Sequence, residues 1–281
     1  MERICAHTWE DGDYIPYVWD RWLADEQGPL IVGELEGQVV ALCKISFQTP
    51  DQVWLQGMRV DPDYRQRGIG RKFLEYSLDY ARENGARVAR LSTSVRNTAV
   101  HRMAADAGME RIGVYVFWVT TSLPEGPQLT VLSAHDQAAV EAFLRASPVL
   151  DACRGVCEAD WAWQDLSEER LPGLLESGRI VALVAAEGHL AALAVVSHDA
   201  DDQALGAGFA DGEPSAVREL AMAIRVHAAR LGAVQARAWL PEVAWLREAF
   251  ASAGYAFGEW QGEMWLLERR FDRPERESHA R

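Results

Sequence analysis

Val60-Asp61-Pro62-Asp63-Tyr64-Arg65-Gln66-Arg67-Gly68-Ile69-Gly70 is the stretch whose reading decides the fold. Leu55 to Val60 reads as a strand entering it, and Arg71 to Asn84 as a helix leaving it. In that helix Leu74, Leu78 and Ala81 recur at three- to four-residue spacing, while Lys72, Glu75, Asp79, Arg82 and Glu83 lie elsewhere. Asn84-Gly85 closes it, with Gly85 placed to be the left-handed residue past the last turn. Val88 to Ser92 reads as the next strand. Gly68 and Gly70 can take positive φ and let the backbone approach a ligand, so that successive N–H groups and the helix N-terminus face it. Arg65, Arg67 and Arg71 add fixed positive charge. The result is an anion cradle, in neither the G-x-x-x-x-G-K-[ST] spacing nor the G-x-G-x-x-G spacing.

Arg65-Gln66-Arg67-Gly68-Ile69-Gly70, entered through Arg59-Val60-Asp61-Pro62, resembles the pyrophosphate loop of the GNAT superfamily of acyl-CoA-dependent N-acyltransferases. Asn97 and Gly108 stand eleven residues apart, as in that family's N-x10-G helix and turn. The resemblance implies acetyl-CoA as co-substrate, with its diphosphate held by Arg65, Gln66, Arg67, Gly68, Ile69, Gly70 and Arg71. It implies that Met58, Arg59 and Val60 line the pantetheine and acyl group, and that Asn97 hydrogen-bonds the same molecule. Many members carry a tyrosine seven residues after the asparagine to protonate the leaving thiolate. This chain has Ala104 there, so the proton must come from elsewhere, such as His101, Tyr115 or water.

The rest of the chain repeats the unit. Leu30 to Ser46, turning at Glu36-Gly37, has its counterpart in Val181 to Ser197, turning at Glu187-Gly188. The helix from Leu220 to Arg230 with Leu231-Gly232-Ala233 parallels the one ending at Asn84-Gly85-Ala86. Glu248 to Gly254-Tyr255 echoes Met103 to Gly108-Met109. The expected class is α/β (α+β), two tandem GNAT-like domains, each a mixed, mainly antiparallel twisted sheet flanked by helices. Two prolines and a glycine in Ser122 to Gln128 mark a join. The expected division is residues 1–122, a linker at 123–128, a second domain at 129–271 and a charged, frayed tail at 272–281. Aligning the copies on Gly85 and Gly232 sets Gly212, Pro214, Ser215 and Val217 against Arg65, Arg67, Gly68 and Gly70. The second copy thus lacks the cradle, and one acyl-CoA site is expected.

Composition excludes several classes. A net charge of −14 gives no basic surface for nucleic acid. No run of eighteen apolar residues appears and Met1 to Cys5 lacks a signal-peptide pattern, so no membrane partner and a cytoplasmic location are expected. Cys5, Cys43, Cys153 and Cys157 lack a second Cys/His pair at zinc spacing and read as reduced thiols, with no metal.

Acyl transfer needs a neutral amine brought to an activated thioester, N–H donors for the developing oxyanion, and a proton for the thiolate. Glu34, two residues before Glu36 on the first hairpin strand, is a candidate base, or else the solvated edge of a polar turn. His101 is a candidate proton donor, or else a helix-surface residue. The aromatic and acidic segment from His7 to Leu23, with Trp54 to Pro62, looks like a subgroup that includes histidine N-acetyltransferase-like proteins. Asp11 or Asp13 would then pair a cationic acceptor, while Trp19, Trp22 and Leu23 read as the core face of an amphipathic helix. The expected partner is a small-molecule amine such as an amino acid, and the protein a monomer or homodimer. A protein lysine or N-terminal acetyltransferase and a non-catalytic acyl-CoA sensor are the alternatives.

Overall fold

Glu36 (φ +53°) and Gly37 (φ +77°) form a two-residue turn of the kind whose twist matches the strands on either side. It joins β1 (Leu30–Leu35) to β2 (Gln38–Thr49). The computed structural model describes residues 1–6, 12–258 and 262–271, so the expected tail at 272–281 lies outside the described residues. Two short helices, α1 (Glu2–Cys5) and α2 (Ile15–Ala24), precede the hairpin. They bury Ile4, Cys5, Ile15 and Trp22 against Leu42 of β2. Burying each large apolar side chain contributes roughly 1.5–3 kcal/mol. Trp22 is buried as expected and Trp19 packs partly against this cluster, but Leu23 is 62% exposed. It lies just off the buried stripe.

The chain continues through β3 (Gln52–Val60), α3 (Ile69–Glu83), β4 (Val88–Ser94) and α4 (Thr98–Asp106). β2 and β3 are antiparallel, and β3 and β4 are parallel with α3 as the crossover. Leu74, Ser77, Leu78 and Ala81 form the buried face of α3, at the expected spacing.

The chain divides into two compact units: Met1–Arg111 with the stretch from Leu266, and Ile112–Trp265. This differs from a join drawn at the prolines. β5 (Glu110–Thr121) runs through the first boundary, and its register with β12 (Gln235–Pro241), from Gln235↔Thr121 to Pro241↔Tyr115, ties residues 115–121 to the second unit. The strand β14 (Glu263–Arg270) supplies residues 266–270 to the first unit. There Glu268 accepts from buried Arg90 of β4 (Nε–Oε2 2.8 Å, Nη2–Oε2 2.7 Å), and Phe271 N–H donates to Arg87 carbonyl.

Within the second unit the same order recurs after a preface of β6 (Thr130–Val131), α5 (Gln137–Arg145), α6 (Pro148–Ala152), β7 (Val156–Ala159), β8 (Ala162–Asp165) and α7 (Leu171–Glu176). β9 (Ile180–Val184) and β10 (Leu190–Asp199) form the hairpin, β11 (Ala204–Gly212) pairs with β10, and α8 (Pro214–Arg230) crosses to the parallel strand β12. α9 (Ala244–Ser252) and the short β13 (Ala256–Phe257) follow. The sheet order is β5-β12-β11-β10-β9-β6. Its core joins Val116, Leu193, Phe209, Leu220, Leu240 and Phe250. The chain is thus two GNAT-like α/β units in tandem, as the repeat predicts.

Candidate functional site

β3 and β4 pair over only three positions, Gln52↔Val88, Val53↔Ala89 and Trp54↔Arg90. Beyond them β3 runs on to Val60 and β4 to Ser94, so the parallel pair opens as a wedge toward its carboxyl ends. On its other side β3 stays bonded to β2, but the register jumps from Lys44↔Gln56 to Leu42↔Arg59. That jump is a bulge at Gly57 and Met58, and Gly57 sits at φ +67°. A Cβ on Gly57 would lie 2.4 Å from the Trp22 ring, so the bulge is pressed from outside by α2. The backbone of Leu55 to Val60 therefore has one side tied to β2 and the other turned to the wedge.

The cradle follows directly from Val60. Asp61 caps the turn Pro62–Tyr64, its side chain accepting from Asp63 N–H at 3.0 Å, and is held by Arg3 at 2.7 Å. Gln66 (φ +61°) and Gly68 (φ +76°) are both left-handed, which folds the loop back on itself. Gly68 is the N-cap of α3 and supplies no side-chain cap; the first bond back is Lys72 N–H to its carbonyl at 3.1 Å. The N–H groups of Ile69, Gly70 and Arg71 thus have no intrahelical acceptor, as at any helix start, and a Cβ on Gly68 would meet nothing within 4 Å. Open space, orphan donors and the helix dipole are the features an anion site requires.

Gly70 differs from expectation. It lies inside α3 without positive φ, and a Cβ there would sit 3.3 Å from Met103 Sδ of α4. Its smallness serves the approach of the two helices. Arg65 donates to Val60 carbonyl at 3.1 Å, Arg67 to Asp63 carbonyl at 3.0 Å, with its guanidinium 5.0 Å over the Tyr64 ring. Arg71 pairs with Glu75 at 2.9 Å and Asp106 at 3.6 Å. Arg65 and Arg67 use neutral partners and keep their charge for the loop.

Asn97 caps α4, accepting from Val100 N–H at 3.3 Å and donating to Thr93 Oγ1 of β4 at 3.0 Å. His101 Nε2 lies 3.1 Å from Ser94 carbonyl, and since a carbonyl only accepts, that nitrogen carries the proton. Both residues stand at the carboxyl end of β4, on the wedge side of the molecule's anion cradle, where ligands of open α/β sheets bind. Glu34 does not join them. It is exposed beside the hairpin turn, in register with Val39, and β2 separates its strand from β3, which sets it about 10 Å away across two strand spacings. Ala104 is fully buried, and Tyr115 belongs to the second unit, its hydroxyl donating to Val156 carbonyl.

Asp13 is buried and chelated by Arg59 (Nε–Oδ2 2.6 Å, Nη2–Oδ1 3.1 Å), whose guanidinium lies 5.5 Å over the Tyr14 ring. Asp13 therefore has its cation already; His7, Trp9 and Asp11 lie outside the described residues. Burial pushes the Cys5 and Cys43 thiols up to about 11, which removes both as thiolate nucleophiles. All four cysteines are free and buried, and the described residues hold no His/Cys/Asp/Glu group arranged for a metal. No helix among them is long and apolar enough to cross a membrane.

In the second unit β11 and β12 also part, after Ala207↔Ala238, and β11 has its own bulge at Gly208, where the register jumps from Val195↔Phe209 to Val196↔Ala207. The cradle is missing for a simple reason. Eight residues, 61–68, separate β3 from α3, but Glu213 alone separates β11 from α8. Asp211, at the end of β11, is buried and accepts from Ser147 Oγ and from Val149 N–H at 3.2 Å, so it anchors α6.

A parallel strand pair thus opens beside a bulge, with a loop of two left-handed residues at the start of its crossover helix. Residues 2–109 match the Acetyltransferase (GNAT) family. The fold of the whole chain is similar to a GCN5-related N-acetyltransferase from Sphaerobacter thermophilus, at 16% identity and TM-score 0.57 over 92% of this chain and 86% of that one. A GNAT-family acetyltransferase from Colwellia psychrerythraea is similar at 13% identity and TM-score 0.52, over 92% and 90%. A tandem GNAT protein from the clavulanic acid biosynthesis pathway aligns at 16% identity and TM-score 0.50, over 89% and 85%. No curated protein sequence matches the chain. GNAT proteins transfer acyl groups from acetyl-CoA to small-molecule or protein amines.

Proposed function

We propose that the protein is a cytoplasmic N-acetyltransferase that moves an acetyl group from acetyl-CoA to the amine of a small molecule such as an amino acid. The observation that carries this reading is the wedge ending at Trp54↔Arg90 beneath the cradle of Gln66 to Arg71. The N–H groups of Gln66 to Arg71, with Arg65 and Arg67, would hold the diphosphate, and the wedge edge at Met58, Arg59 and Val60 would hold the pantetheine and acyl end. Asn97 sets the far wall by fixing α4 on β4. Acetyl-CoA brings an activated thioester. The chain's part is then to orient it along β3, to offer N–H groups of the bulged segment to the developing negative oxygen, and to exclude water. His101, or a water beside it, would carry the proton released by the attacking amine to the leaving thiolate. The acceptor would lie against the start of α2, where Tyr14 stands beside the Asp13–Arg59 pair.

Ala104 favours one second reading, a sensor that binds acetyl-CoA without turnover. Thiol release from acetyl-CoA, screened over amino acids, polyamines, aminoglycosides and lysine peptides, separates the readings. Turnover with free amines, lost in Arg67→Ala/Gly70→Pro, supports the proposal. Turnover with peptides alone makes the acceptor a protein, and tight binding with no turnover across the panel leaves the sensor.

A further inference from the structure

The second unit holds a buried carboxyl that the acyl-transfer reading does not use. Glu158, on β7, is 5% exposed. Its Oε1 accepts from Trp161 N–H at 2.6 Å; among the described residues no group donates to Oε2. The side chain lines a small cavity of about 30 Å³ with Phe117, Trp161, Trp239, Asp199 and Gly206. Phe117 lies 5.8 Å from Trp161 and 4.8 Å from Trp239 between ring centroids, and Trp161 and Trp239 are 5.7 Å apart. Three rings and one carboxyl thus line the same cavity. Trp239 is 3% exposed and its indole N–H has no partner among the described residues.

The turn between β7 and β8 maintains this arrangement. Asp160 (φ +54°) and Trp161 (φ +64°) are both left-handed, a conformation that bulky residues seldom hold. A Cβ on Gly208 would fall 1.8 Å from Glu158 carbonyl, so β7 is seated on the β11 bulge with no slack. The charged groups around the carboxyl are Asp160, paired with Arg179 at 3.4 Å, Asp199, and Arg237, whose guanidinium is taken by Asp202 at 2.7 Å. The lining is acidic, and aromatic faces favour cations where water is excluded.

We infer that this cavity is a binding site for the head group of a primary alkylammonium, with Glu158 Oε2 as its anion and Phe117, Trp161 and Trp239 as its walls. The size suits a group of water dimensions such as –NH3+ better than a trimethylated one. Burial raises the Glu158 carboxyl to about 8, so an arriving cation also supplies the charge that stabilises its ionised form.

The site belongs to the second unit and the cradle to the first, and its test involves neither acetyl-CoA nor turnover. Titration calorimetry of the full chain at pH 8.5 would use ethylammonium chloride, with tetramethylammonium chloride and ethanol as the oversized and uncharged comparisons. Saturable binding of ethylammonium alone is expected, at least tenfold weaker in Glu158→Gln and unchanged in Arg67→Ala/Gly70→Pro. Gly206→Ala provides a second variant, because its methyl would meet only Ser197, with Oγ nearest at 3.4 Å, and would occupy the cavity without disturbing the strand. It too should abolish binding at unchanged melting temperature. No saturable binding to the wild-type chain, equal binding by Glu158→Gln or Gly206→Ala, or equal binding of tetramethylammonium would each overturn the inference and leave Glu158 a structural carboxyl.

Discussion

Gly68 holds φ at +76°, a region that costs an L-residue roughly 1–2 kcal/mol, yet a side chain there would meet nothing within 4 Å. The two facts separate folding from binding. Gly68→Ala should lower the melting temperature only slightly, while the loop relaxes toward negative φ and turns its N–H groups away. The expected result is a KM for acetyl-CoA raised at least tenfold, with kcat changed less, read from steady-state kinetics beside a thermal melt. Gly57 makes the opposite case, since its Cβ would enter the Trp22 ring, and Gly57→Ala should lose stability and activity together. Glu158 carries a pH signature in the second unit. Its carboxyl titrates near 4.5 when unfolded and at about 8 when folded, because burial disfavours the charge. Between those values the folded chain holds more protons at this group, so the contribution of Glu158 to stability is fully present below the lower value and is lost as pH rises through about 8. Chemical denaturation at pH 5 and pH 8.5 should show this loss in the wild-type chain and a much smaller one in Glu158→Gln.

At the scale of elements, the pairing of β4 with the C-terminal strand rests on a buried ion pair. Arg90 is 1% exposed and is satisfied by Glu268 at 2.7 Å and Gln52 Oε1 at 3.0 Å. Glu268→Ala leaves that guanidinium buried without its anion, and breaking such a pair costs about 3–5 kcal/mol. Replacing both partners by apolar residues of like size, as in Arg90→Met with Glu268→Leu, should restore part of the loss in urea denaturation, since it removes the buried charges together but takes the Arg90 donor from Gln52 Oε1. Much of the first unit could be read from local pattern. The cradle announced itself through Arg65, Arg67 and Gly68, α3 through its apolar spacing, and the hairpins through Glu36-Gly37 and Glu187-Gly188. What local pattern could not convey was pairing at a distance. Arg90 and Glu268 are charged residues 178 positions apart and look like surface groups in isolation. The bulge had one signal, Gly57 inside an apolar strand, which marks either a bulge or a close neighbour, and here is both. Glu34 sat on the right hairpin but at its solvent end.

The whole molecule is organised by a chain that leaves its first unit and comes back to it. Residues 1–111 and the strand from Leu266 form one compact unit, with residues 112–265 inserted between them as the second. The prolines near residue 124 therefore mark a turn inside the second unit, and the repeat in the sequence counts two copies without showing that one strand closes the other copy's sheet. A fragment ending at the expected linker, residues 1–128, would contain the whole cradle and wedge. It would lack Glu268 for Arg90, Arg269 for the Ala107 carbonyl and Phe271 for the Arg87 carbonyl. It would also leave the free edge of β4 open to pairing with other chains. Expressed alone, 1–128 should be insoluble or unfolded by circular dichroism, with no acetyl-CoA binding by calorimetry. Adding residues 263–271 back through a flexible linker after Arg111, in place of the second unit, should recover a cooperative melt and acetyl-CoA binding. If 1–128 instead folds cooperatively and binds acetyl-CoA as the full chain does, the returning strand is ornamental, and the cradle depends only on the elements that precede residue 112.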